Sequence, residues 1–122
     1  MKRTSARELA FKTIYSKFFN EEDNSIEETN DKEVEFVSKI LKTFADNHAE
    51  INEIISTHLK GYTLERLYKI DLAIITLAVI ELKFIGDVPK QVVINEAIEL
   101  AKKYSTEKSP RFINGLLADI VK

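Results

Sequence analysis

The stretch from Ile70 to Ile85 constrains this chain more than any other. It carries Leu72, Ala73, Ile74, Ile75, Leu77, Ala78, Val79, Ile80 and Leu82, with Thr76 inside the run and Asp71 and Glu81 flanking its centre. A helix that is apolar on every side has to be buried by neighbours. The β-branched residues also admit a buried strand. The length of the stretch and the amphipathic helical segments around it favour a central helix. The most apolar part, Leu72 to Ile80, is too short to cross a bilayer core of about 30 Å.

The neighbours follow from periodicity. Ala6, Leu9, Ala10, Thr13 and Ile14 form one apolar stripe, with Phe11, Tyr15, Phe18 and Phe19 beside it. Ser5 with Glu8 suggests a capping box, so a first helix is expected over about 6–19. Asn30 with Glu33 suggests a second capping box, ahead of the stripe Val34, Val37, Ile40, Leu41 and Phe44. Asp46-Asn47 breaks that pattern. Ile51, Ile54, Ile55, His58 and Leu59 mark a third helix, with Gly61 as its C-cap residue. Thr63 can cap a short turn carrying Leu64 and Leu67. Val93, Ala97, Leu100, Ala101 and Tyr104 give the next stripe, with Glu99 and Lys103 paired outside. Ser109 as N-cap and Pro110 open a last helix carrying Phe112, Ile113, Leu116, Leu117, Ile120 and Val121. The expectation is an all-α single domain spanning 1–122, with six to seven helices.

Three glycines and two prolines are too few for an all-β chain with many tight turns. The absence of cysteine excludes a disulfide scaffold, a thiolate metal site and a cysteine nucleophile. His48 and His58 fit no metal-ligand spacing, and His58 reads as a packed boundary histidine. There is no glycine-rich phosphate loop and no nucleophile elbow. The chain reads as a non-enzyme with no cofactor and no metal. The N-terminal basic residues have no apolar segment behind them, so a cytoplasmic protein without membrane association is expected.

A net charge of -2 hides a segregated distribution. Residues 1–19 hold five cations against Glu8, residues 20–35 hold eight carboxylates against Lys32, and the stretch from Pro89 holds six cations against four carboxylates. Lys2, Arg3 and Arg7 open the first helix, with Phe11 and Tyr15 further along it. Lys108, Arg111 and Phe112 open the last. Each cluster joins cations for phosphates to an aromatic that can stack on an unpaired base, as in single-stranded RNA binding. Core packing of Tyr15 and Phe112 beside solvated surface charge is the competing reading.

The segments Asp71–Ile75, Ile80-Glu81-Leu82, Asp87-Val88-Pro89, Val93–Tyr104 and Ser109–Leu117 resemble the NusB transcription antitermination factors, as do Ala6-Arg7-Glu8 and Ile14-Tyr15. The resemblance implies two small helical bundles packed together. It also implies binding of boxA-type RNA from ribosomal RNA leader transcripts, as a heterodimer with NusE, a small-subunit ribosomal protein. That complex joins RNA polymerase and suppresses Rho-dependent termination. By motif it points to Arg3, Arg7, Tyr15, Arg111 and Phe112 for RNA. Lys2 and Lys108 join them on charge, and Glu65 and Asp71 are implied for NusE.

Thr4 and Ser5 interrupt the usual run of N-terminal arginines, Lys108 stands where an acidic residue is common, and Thr76 and Ile80 replace an arginine and a tyrosine. Asn95-Glu96 and Asn114-Gly115 read as helix-start, packing and close-approach positions, not catalytic ones. Two alternatives stand beside this reading. One is the RNA-binding part of a ribosomal RNA cytosine methyltransferase, against which the chain's end at Lys122 speaks. The other is a self-associating helical module, including a homodimer, without sequence-specific RNA binding.

Overall fold

A computed structural model describes residues 3–19, 32–61 and 63–122. Five α-helices follow one another: α1 (Arg3–Lys17), α2 (Lys32–His58), α3 (Lys69–Ile80), α4 (Lys90–Tyr104) and α5 (Ser109–Ile120). A short 3₁₀ turn, Leu64–Arg66, precedes α3, and a π turn, Glu81–Ile85, continues it. No strand occurs among the described residues. Lys2, the acidic stretch 20–31 and the Asn30 capping box lie outside the described residues.

α3 is the axis of the fold. Every residue from Asp71 to Ile80 is buried. α1 and α2 pack against it and each other, and α4 and α5, themselves paired, also pack against it. The facing stripes are those periodicity gives: Ala6, Ala10 and Ile14 on α1, Val93, Ala97, Leu100 and Ala101 on α4, and Ile113, Leu116, Leu117 and Ile120 on α5. Thr76 is accommodated, since no buried side-chain polar atom among the described residues lacks a hydrogen-bond partner.

The helix count is lower than six to seven because the expected second and third helices form one, α2. The break at Asp46-Asn47 survives as a kink. Asn47 sits at φ -128° and ψ 22°, outside the helical range. Its amide Nδ2 donates to the Thr43 carbonyl at 3.1 Å. Asn competes for backbone groups in this way and bends a helix without ending it.

Local caps depart from expectation in three places. α1 begins at Arg3, so Ser5 lies inside its first turn, and Glu8 pairs with Lys103 of α4. That in turn leaves Glu99 to Lys102, at 3.4 Å. Ser109 turns its hydroxyl inward and does not cap α5. At the end of α3 the Gly86 N–H donates to the Glu81 carbonyl five residues back, at 2.9 Å. Gly86 closes this wide turn at φ +68°, where a side chain would be strained.

Because Ile75 is fully buried at the centre of α3, Ile75→Ala should cost about 2–5 kcal/mol. Urea unfolding followed by circular dichroism checks this; a loss below about 1 kcal/mol would show that the core closes around the cavity.

Candidate nucleic-acid interface

At the N-terminal end, Arg3 places its guanidinium 4.0 Å from the centre of the Phe36 ring on α2. Arg7 lies one helical turn further and is turned inward, 3% exposed. Its Nε donates to both Glu81 carboxylate oxygens, at 3.2 and 3.0 Å, and its Nη2 donates to Oε1 at 2.9 Å. Glu81 is 2% exposed. Glu96 lies 3.9 Å from Nη1 and accepts a hydrogen bond from Thr4 Oγ1. Arg7, expected at an RNA-facing surface, thus stands inside the fold. Its guanidinium is consumed in a buried clamp joining α1, the π turn and α4.

Tyr15 is half-buried and meets half-exposed Phe19 edge-on, with ring centres 5.1 Å apart. Phe11 is buried against Tyr104, and Phe18 packs on Phe44. The second aromatic stripe of α1 is thus largely covered by α2 and α4. The Lys12 and Lys103 ammonium groups lie 5.3 and 5.4 Å from the centre of the Tyr104 ring. The Lys103 hydrogen bond, more than its charge, holds the Glu8 carboxyl below its ordinary value of 4.5, and Glu8 likewise raises Lys103.

At the other end of the sequence, the loop between α4 and α5 is held by Asp71. Ser105 Oγ donates to Oδ1, and Ser109 Oγ donates to Oδ2 at 3.0 Å. With the Ser109 proton committed to Asp71, the Thr106 hydroxyl, 2.8 Å away, is the donor to Ser109 Oγ. Asp71 is buried. Expected on a partner-facing surface, it has both carboxylate oxygens engaged by this loop and lines the groove beside it. Glu65 is exposed, and its carboxyl is held below the ordinary value first by its own backbone N–H and then by Thr63.

Lys108 and Arg111 are exposed and Phe112 is half-buried. A groove of about 600 Å³ is lined by Arg66, Tyr68, Asp71, Lys108 and Phe112. A second, of about 340 Å³, joins Arg111 and Phe112 to His58 and Lys60 at the end of α2. His58 is a half-buried boundary residue, its Nδ1 2.8 Å from the Ile54 carbonyl. Glu65 lines a third groove, of about 530 Å³, with Lys17, His48 and Lys69. The structure thus gathers Lys108, Arg111 and Phe112. Neither groove around Phe112 contains a residue of α1, so Arg3, Arg7 and Tyr15 do not share them. Lys60, Arg66 and Tyr68 were missed because they lie off every apolar stripe, in the turns between α2 and α3. Tyr68, an aromatic between Leu67 and Lys69, was the one available signal.

Among the described residues no group of three or more His, Asp or Glu is placed to hold a metal ion, and no helix is long and apolar enough to cross a membrane.

A helix buried from Asp71 to Ile80 and wrapped by four others, with open cation- and aromatic-lined grooves at the start of the last, defines a small all-α domain of a recognisable class. The chain belongs to the NusB family, whose family model matches residues 4–122. It is 39% identical to the transcription antitermination protein NusB of Clostridium botulinum, over 99% of this chain and all of that protein. It is 42% identical to its namesake from Listeria monocytogenes, over 98% and 96% of the two chains. Among solved structures, T. maritima NusB superposes with a TM-score of 0.91 at 33% identity, covering 99% of this chain and 91% of that one. A structure of the antitermination factors NusB and NusE in complex with dsRNA gives 0.86 at 28% identity, covering 98% and 95%.

Two predictions follow from the α1 contacts. Arg7→Ala leaves the Glu81 carboxylate buried and unpaired, a loss of about 3–5 kcal/mol. In urea unfolding Arg7→Ala combined with Glu81→Leu should recover part of that loss; a double variant no better than Arg7→Ala would refute the clamp. Second, because the folded Glu8 pKa lies below 4.5, the tie to Lys103 is present at neutral pH. It is lost as pH falls through that lowered value. A carboxyl NMR titration of Glu8 should show its midpoint rise in Lys103→Ala.

Proposed function

We propose that this chain is a non-catalytic transcription antitermination factor. It binds boxA-type single-stranded RNA of ribosomal RNA leader transcripts as a heterodimer with NusE. On RNA polymerase that complex suppresses Rho-dependent termination. The observation that carries the reading is the cluster of Lys108, Arg111 and Phe112 at the start of α5, two exposed cations beside a half-buried ring that lines two grooves. The antitermination names of relatives at 39% and 42% identity support the role. The NusB and NusE complex supports the partner.

The RNA in that complex is double-stranded. A single strand is the target proposed here because an aromatic in an open groove suits a base that has left its stack. Arg3 and Tyr15 serve as a second contact region on α1, with Lys2 ahead of them. Arg7 acts from behind, by fixing α1. Glu65 meets NusE directly, and Asp71 acts from its buried place by holding the loop between α4 and α5.

The test is a fluorescence titration of boxA-type RNA against a scrambled RNA, with and without NusE. Preference for boxA that strengthens with NusE is the expected result. Phe112→Ala should weaken binding about tenfold. Lys108→Ala and Arg111→Ala should each reduce the salt slope by about 0.7. Equal weak binding to both RNAs, indifferent to NusE, would transfer the reading to a self-associating helical module, which light scattering would then show as a homodimer.

A further inference from the structure

The two grooves that meet at Phe112 hold more than the three residues that nominate them. Tyr68 lines the first groove together with Phe112 and is 65% exposed, the most exposed large apolar side chain among the described residues. Arg66 and Lys108 line the first groove with it; Lys60 and Arg111 line the second. Against these four cations stand three carboxylates, Asp71, Glu107 and Asp119, of which Asp71 is bound by the hydroxyls of Ser105 and Ser109. The lining therefore carries a small cationic excess and two aromatic rings.

Gly115 supplies an independent observation. It lies in the middle of α5, where glycine is less favourable than alanine. No internal contact requires it. A Cβ built there meets nothing within 4 Å, and the backbone is not in the left-handed region. The close approach expected at Asn114-Gly115 is thus absent at Gly115 among the described residues. Gly115 instead lines the second groove, where a missing side chain leaves room for something outside the protein.

We infer that the two grooves form one track for single-stranded RNA, in which Tyr68 stacks a base opposite Phe112, Lys60 and Arg66 meet phosphates, and the sugar-phosphate backbone passes over Gly115. This rests on the RNA-binding reading above and adds four residues to it. Stacking is sequence-tolerant because every base has a π face. The track therefore sets affinity and path, and the base-edge contacts that choose boxA lie elsewhere on the RNA.

The experiment uses the full chain and a fluorescein-labelled boxA-type RNA, with thermal unfolding of each variant as a folding check. Tyr68→Ala should weaken binding about tenfold, and Tyr68→Phe should retain it, since the ring and not the hydroxyl stacks. Lys60→Ala and Arg66→Ala should each lower the salt slope by about 0.7. Gly115→Leu should unfold at the same temperature or higher, because its side chain enters open space on a helix, yet bind RNA at least tenfold more weakly. If Phe112→Ala weakens binding while Tyr68→Ala and Gly115→Leu do not, the track is wrong and the RNA-binding reading stands. If Tyr68→Ala and Gly115→Leu spare RNA but weaken association with NusE, the groove belongs to the protein partner and the inference is overturned. If the unaltered chain binds no RNA with or without NusE, the underlying reading itself falls, and the track with it.

Discussion

A helix with no polar side obliges the rest of the chain to surround it. α3 is buried at every position from Asp71 to Ile80. No single neighbour covers a full cylinder, so α1 and α2 close one part and α4 and α5 the remainder. The hydrophobic effect sets this arrangement without directional bonds. Direction enters at the two ends of α3, where the only carboxylates of the segment sit. Glu81 at the C-terminal end takes Arg7 of α1, and Asp71 at the N-terminal end takes Ser105 and Ser109 beside α5. One acidic group at each end thus registers a different neighbour against the common core.

This division explains the location of the grooves. Where α3 continues into its π turn, the buried clamp and the α1–α4 contacts fill the space. Where α3 begins, the 3₁₀ turn and the α4–α5 loop approach each other without closing, leaving the groove between Tyr68 and Phe112. Cations accumulate there because the residues are in turns, free of the apolar periodicity that governs the helices around them.

The architecture was legible because its signals are periodic. The central run, the stripes of α1, α4 and α5, and the break at Asp46-Asn47 all map onto the fold. That break, however, bends a helix instead of dividing two, since Asn47 satisfies a carbonyl with its own side chain. The site was legible in part. Lys108, Arg111 and Phe112 are adjacent in sequence and remain together in space. The inward turn of Arg7 is not legible because its partner Glu81 lies 74 residues away, and no spacing pattern announces a contact of that range. Asp71 opens an apolar helix, where a carboxylate suits the helix dipole and looks solvent-facing. Only the loop folded over it shows otherwise. Lys60, Arg66 and Tyr68 become neighbours of Phe112 through the path of the turns, which periodicity does not encode.

The Asp71 carboxylate bridges the two walls of the groove beside Phe112. Its own helix carries Tyr68 at its start, and the serines it holds precede Phe112. The spacing between the rings is therefore set inside the protein, before any ligand arrives. A site assembled in advance loses little side-chain and loop freedom when it is filled. On the proposed function, a strand would meet a site already assembled, and most of the conformational entropy lost on association would come from the strand.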